Sequence, residues 1–223
     1  SWNCGAEGKT RKKSILDLRW KQMRNAMLML LTAQGTPMIV SGDEFGFSHG
    51  GNNNPYCQDN SVCWLNWKLT ELNREFLAFV REAIAFRKSH PVLHRPEEPT
   101  MMDYIACGYP DLSFHGEEAW KLDADNLSRQ AGLMYCGCYA KVDRRNDDHF
   151  LYLAYNMHWE EHDFALPALP PGMKWAKVLD TASGAQEEGE NGRTAAVAGR
   201  SIQIFESREK TGKEKQKAGQ KKK

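Results

Sequence analysis

The sequence predicts an α+β composite: a helix–strand–helix unit followed by an all-β module built as an antiparallel β-sandwich. Three observations carry this. Two segments before residue 90 repeat their apolar residues with the 3.6 period of a helix. Between them the short run Met38-Ile39-Val40 is apolar on both faces, as in a strand buried in a parallel sheet. Beyond about Arg95 the period falls to two, with turn residues between the runs.

The first helix is expected over Ser14–Gln34. Ser14 stands at the cap, and Leu16, Trp20, Met23, Met27, Leu30 and Leu31 form one broad apolar face. Gly35 and Pro37 stop it. Met38-Ile39-Val40 follows as the strand, and Ser41-Gly42-Asp43-Glu44 leaves its C-terminal end, where α/β folds place functional loops. The Gly- and Asn-rich loop from Phe45 to about Asn66 is too long for a plain connector. A second helix is expected over Thr70–Lys88, with Leu72, Phe76, Phe79, Val80 and Ile84 as its buried stripe and His90-Pro91 as its end. In the β module, Ala131–Ala140 and Phe150–Met157 read as a hairpin closed by the polar turn Asp143–Asp148. Lys174–Asp180 and Ser201–Phe205 read as two further strands. The expected organisation is residues 1–95, residues 96–206 and a tail over residues 207–223.

The 223 residues suffice for one large or two ordinary domains, and 41% hydrophobic with 26% charged residues is ordinary for a globular chain. No apolar run approaches the roughly 18 residues of a membrane span, so no membrane partner is expected. The net charge of +1 conceals an asymmetry. Arg208 to Lys223 holds eight basic residues against two acidic, leaving the body with 22 basic against 27 acidic. With no apolar residue larger than Ala218, the tail is expected to be disordered and solvated, with no nucleic-acid partner. The six cysteines include no C-x-x-C, and the histidines show no convincing ligand spacing, so neither zinc nor another metal or cofactor is expected. Cys136 and Cys138 read as reduced, half-buried thiols on one strand face. With no signal peptide in view, this favours a reducing compartment, the cytoplasm.

Asp43 and Glu44 are the tempting carboxylate pair. A glycosidase needs two carboxyl groups about 5–5.5 Å apart for retention or about 6.5–9.5 Å for inversion. Adjacent residues leaving a strand point to opposite faces, so a structural role in the loop is expected for both. Gly50-Gly51-Asn52-Asn53-Asn54-Pro55-Tyr56-Cys57-Gln58-Asp59-Asn60 concentrates amides, a carboxylate and an aromatic ring. Those groups suit vicinal hydroxyls and a pyranose face, and they equally suit an Asn/Gly turn cluster that satisfies its own backbone. Trp2, Trp64 and Trp67 read as core or boundary residues or as sugar platforms. All seven histidines read as surface or satisfied polar residues.

Several motifs, in order along the chain, carry a family resemblance. Ser1-Trp2-Asn3-Cys4-Gly5-Ala6-Glu7-Gly8, Thr36 to Gly46 and Gly51 to Asn60 resemble segments of bacterial glycogen debranching enzymes and isoamylases of the α-amylase clan. Trp64-Leu65-Asn66-Trp67 resembles their W-x-D-W, with Asn in place of Asp, and Tyr155-Asn156-Met157-His158-Trp159-Glu160 resembles a C-terminal β-domain signature. The resemblance implies that residues 1–95 end a (β/α)₈ TIM barrel and that a β-sandwich C-terminal domain follows. It implies a retaining α-1,6-glucan hydrolase acting on glycogen or limit dextrins. The nucleophile Asp, acid Glu and second Asp would come from barrel strands four, five and seven, which the resemblance places before Ser1; none of the residues here inherits a catalytic role, and the chain alone is expected to be inactive. The loop after the last barrel strand would contact glucose units through Asn54, Tyr56 and Asp59, with Trp2 and Asn3 near the cleft wall. Phe47 and His49 stand where the family commonly has Arg and Gln. Expected partners are α-glucan and either the rest of the barrel or a second copy, through an apolar face containing Trp20, Met27 and Phe76. The alternatives are a non-catalytic α-glucan-binding module and a structural module.

Overall fold

The computed structural model describes residues 2–122, 129–183, 189–190 and 193–211. They form two compact units, Ser1–Ser89 and His90–Lys223.

The first unit holds α1 (Lys13–Thr32), α2 (Leu69–Leu72) and α3 (Arg74–Ser89). Lys12 rather than Ser14 is the N-cap of α1, and no side chain caps it. Ile15, Met27, Leu28 and Leu31 are its buried apolar residues, while Leu16, Trp20, Met23 and Leu30 are half-buried. The buried stripe is thus rotated from the expected one. It packs on α3, where Phe76, Phe79, Val80 and Ala83 are buried. Trp20 and Phe76 meet with ring centroids 5.5 Å apart. The Trp20, Met27 and Phe76 surface expected to lie open is therefore largely occupied within the unit. The last turn of α1 leaves carbonyls without helical partners. Buried Arg87 of α3 donates through Nη1 to one of these, Leu31 O (2.8 Å), and to two carbonyls just past the helix, Ala33 O (2.7 Å) through Nη1 and Gly35 O (2.5 Å) through Nη2.

Two expectations fail here. Residues 36–40 form no strand: Met38 is 83% exposed and Val40 57% exposed. A strand exists only by pairing, and among the described residues none pairs with this segment. The second helix is also interrupted. Asn73, at φ −111° and ψ 30°, separates α2 from α3, and its Nδ2 donates to Phe45 O at 2.8 Å. Leu72, expected on the buried stripe, is 75% exposed, and Ile84 is half-buried.

The second unit is antiparallel β. Its strands are β1 (Leu112–His115), β2 (Gln130–Tyr135), β3 (Leu151–Asn156), β4 (His162–Ala165), β5 (Met173–Asp180), β6 (Gly189–Glu190), β7 (Thr194–Val197) and β8 (Ser201–Glu209). One sheet runs β1-β2-β3-β8-β5-β6, and β4 pairs with β7 in a second. The expected hairpin is present, with Met134 opposite Tyr152. Its first strand ends at Tyr135, however, because Gly137–Tyr139 turns as a 3₁₀ helix. A Cβ on Gly137 would lie 2.0 Å from Asp148 O, so only glycine allows this close approach. The small sheet contributes Phe164, Ala195 and Val197 to a core with Tyr152, Trp175 and Phe205 of the large one. Buried Asn156, at the end of β3, donates through Nδ2 to Glu160 O and Val197 O, each at 2.8 Å, and so ties the two sheets.

Buried Asp111 organises the turn before β1. It accepts from the backbone N–H groups of Thr100, Met101 and Leu112 and from Arg95. Burial pushes its carboxyl up, but these donors outweigh burial and hold it below the usual carboxylate value. The expected tail over 207–223 starts inside β8, which continues to Glu209 with Ser207 buried; residues 212–223 of that tail lie outside the described residues. No helix among the described residues is long and apolar enough to cross a membrane.

Candidate functional site

The loop from Phe45 to Trp67 is built by short-range hydrogen bonds. Gly42 enters it at φ +100°, where a Cβ would lie 2.7 Å from Phe47 Cβ. A 3₁₀ turn, Asp43–Phe45, follows directly. Asp43 and Glu44 serve this turn: Val40 N donates to Asp43 Oδ2 (3.3 Å) and Gly42 N to Glu44 Oε2 (2.8 Å). Both side chains bind backbone of their own turn.

Further on, side-chain amide oxygens take nearby backbone N–H groups. Asn52 Oδ1 accepts from Asn54 N (3.0 Å), Asn60 Oδ1 from Val62 N (2.9 Å) and Asn66 Oδ1 from Lys68 N (3.2 Å). These are Asx turns, and they fix the loop without an apolar core. Pro55 O accepts from Gln58 N (3.2 Å) and from the Cys63 thiol (3.3 Å). His49 Nδ1 donates to Val62 O at 2.8 Å, and its ring meets Phe47 edge-on at 5.2 Å. His49 thus pins the loop across its base, with Phe47 packed against its ring.

Turn-forming and contact-ready residues alternate along this loop. Asn52, Asn60 and Asn66 close turns. Asn54 and Tyr56 are exposed, Tyr56 at 83%, and among the described residues no hydrogen bond of either side chain is seen. Asp59 Oδ1 accepts from Trp64 Nε1 at 2.8 Å, which orients an exposed indole. Trp67 is exposed too, with its ring tilted against buried Phe45 at 5.8 Å. Trp2 and Asn3 lie in a segment held to α1: Arg19 donates to the carbonyls of Asn3, Ala6 and Gly8. Asn3 Oδ1 accepts from Gly5 N (2.9 Å), and its Nδ2 donates to Glu7 (3.3 Å). The geometry thus joins Asp59 to Trp64. It keeps Asn3 within its own segment and leaves Asn54 and Tyr56 to solvent. A flat exposed ring, amide groups and an indole held by a carboxylate can stack on and hydrogen-bond a polyhydroxylated ring. They supply no proton-transfer pair.

Two side-chain groupings form in the second unit. His162 Nε2 and His158 Nδ1 lie 3.0 Å apart, and His162 Nδ1 faces the Glu117 carboxylate. His158 and His162 stand four apart in the sequence, and Glu117 comes from the segment after β1, which chain order does not place beside them. Cys107, Cys136 and Cys138 also come together, their sulfur atoms all within 4.8 Å of one another. Cys136 and Cys138 were legible as neighbours; Cys107, from a separate turn, was not.

Comparison with known proteins places these features. Residues 114–207 match the family described as "Isoamylase, C-terminal". The chain is 38% identical over 191 residues to the "Glycogen operon protein GlgX homolog" of Mycobacterium tuberculosis (strain ATCC 25618 / H37Rv), covering 81% of this chain and 26% of that protein. It is 34% identical over 182 residues to "Isoamylase 3, chloroplastic" of Oryza sativa subsp. japonica, covering 81% of this chain and 21% of that one. Among solved structures, a type I pullulanase of Bacillus subtilis str. 168, complexed with maltose, superposes with a TM-score of 0.63. It has 22% identity and covers 85% of this chain and 23% of that one, a likeness of fold. The chain thus spans about a quarter of the length of the curated relatives it matches.

Proposed function

We propose a function on the premise that this chain corresponds to the C-terminal portion of the glycogen-debranching and isoamylase enzymes of the α-amylase clan. It supplies a glucan-contacting loop and the β-domain of a retaining α-1,6-glucan debranching hydrolase, and it does not supply the acid–base chemistry. The observation that carries this reading is the 38% identity over 191 residues, more residues than either unit alone holds.

Residues 1–95 are read as the last helix, strand and helix of a (β/α)₈ barrel. Residues 36–40 become a strand when neighbouring strands are supplied; the exposure of Met38 and Val40 supports this. In that setting Asn54, Tyr56 and Asp59 contact glucose units of glycogen, limit dextrin or a maltooligosaccharide, with Trp2 and Asn3 at the edge. Tyr56 stacks on a pyranose face, Asn54 bonds hydroxyls, and Asp59 holds the Trp64 indole. Asp43 and Glu44 shape the turn that presents the loop. Six reduced cysteines fit a cytoplasmic setting.

The test is an assay of reducing ends released from a branched limit dextrin. The chain alone is expected to release none, and co-expression with the matching N-terminal piece of a debranching enzyme is expected to restore release. Hydrolysis by the chain alone sinks the assignment. The exposed rings of Tyr56, Trp64 and Trp67 also favour a second reading, a binding module without catalysis. That reading is selected if glucan binds the chain and no partner piece restores hydrolysis.

A further inference from the structure

We propose that Cys107, Cys136 and Cys138 form a three-thiolate site for a thiophilic divalent cation, zinc being the natural occupant. The three sulfur atoms lie within 4.8 Å of one another, and Cys107 Sγ is 3.8 Å from Cys136 Sγ. Zinc–sulfur bonds of about 2.3 Å at tetrahedral angles place thiolates about 3.8 Å apart. One edge of the tetrahedron is thus already at bonding spacing, and a small contraction closes the others.

The surrounding backbone holds the ligands in place before a metal arrives. Asp103 accepts from Cys107 N (3.0 Å) and Gly108 N (2.8 Å), and this fixes a turn that passes through positive φ at Ala106 and Gly108. Tyr139 Oη donates to Asp103 Oδ1 at 2.8 Å and lies 3.8 Å from Cys107 Sγ, so it braces the same turn. On the opposite side Cys136 N donates to Asp111 O (3.1 Å), and the close approach of Gly137 to Asp148 sets the 3₁₀ turn that carries Cys138. Buried Cys136 forms the floor, while Cys107 and Cys138 are half-buried and leave an approach for an ion and for a water as fourth ligand.

Burial raises the Cys136 and Cys138 thiols above their ordinary value, so both carry protons in the metal-free protein. Binding replaces three S–H bonds with three S–Zn bonds and releases three protons to solvent. With three thiolates bound, the zinc centre carries one net negative charge.

The experiment uses the reduced, chelator-stripped full chain, titrated with zinc against a chromogenic competitor and then alkylated, with each cysteine mapped by mass spectrometry. The expected result is one equivalent of zinc bound. Cys107, Cys136 and Cys138 should be slowed about tenfold or more toward alkylation, while exposed Cys57 is unchanged. C107S and C138S should lose the equivalent, and C57S should keep it. Failure of the wild-type chain to bind zinc, equal alkylation of all six cysteines with and without it, or retention of zinc by C107S overturns the site. The alkylation pattern reads the wild-type protein, so a variant that fails to fold does not decide the matter.

Discussion

His115 shows how one buried side chain makes stability depend on pH. Trp120 N donates to its Nδ1 at 2.7 Å, so the proton sits on Nε2 and is given to Ser113 Oγ at 2.9 Å. Burial pushes the ring down to about 4 from 6.5. The folded state therefore holds a neutral ring, while the unfolded chain takes a proton below pH 6.5. The stabilisation is present in full above pH 6.5 and is lost as pH falls from 6.5 toward 4. Urea denaturation should show this group removing about 2 kcal/mol between pH 7 and pH 5. His115→Gln should flatten that part of the profile, and an unchanged slope would show that the ring does not titrate this way. Arg87 is the second case. Its three bonds, to Leu31 O of α1 and to Ala33 O and Gly35 O just beyond it, are charge-assisted, and Arg87→Leu removes that donor. A loss of roughly 2–3 kcal/mol in denaturant unfolding is expected, against under 1 kcal/mol for exposed Arg81→Leu. Neither partnership was legible in the sequence, because each joins residues whose proximity depends on the fold.

Elements were legible where a local pattern decides them. The period-3.6 runs gave α1 and α3 and the period-two runs gave β2, β3, β5 and β8, because amphipathic spacing is a property of the segment itself. The short strands β1, β4 and β7 were missed; each is four residues long, too short for a period of two to stand out from loop. The run Met38–Val40 shows the opposite case. Its composition suits a buried strand, yet a strand needs a neighbour, and composition cannot supply one. Amide hydrogen exchange should find residues 38 and 39 unprotected in the chain and protected once the matching N-terminal piece is bound. Protection in the chain alone would contradict the exposed segment. The turn that follows depends on Gly42, whose φ of +100° and contact with Phe47 exclude a side chain. Gly42→Ala should destabilise the first unit by about 1–3 kcal/mol through strain and displacement of Phe47, with little effect on the strands of the second.

On the scale of the whole molecule, the chain is a helical unit that presents an Asx-turn loop and an antiparallel β unit that matches the isoamylase C-terminal family. The motif resemblance made the family legible because short motifs keep their order along the chain. The candidate contact residues were legible only as a cluster of types. Folding separates them: Asn52, Asn60 and Asn66 close turns, Asp59 holds an indole, and Asn54 and Tyr56 face solvent. The central claim is that this solvent-facing set contacts α-glucan. Calorimetric titration of the chain with maltohexaose tests it most directly. Saturable heat with a Kd on the order of 1 mM is predicted, weakened about tenfold or more by Tyr56→Ala. Absence of heat at tens of millimolar sugar, or equal binding by Tyr56→Ala, would contradict it.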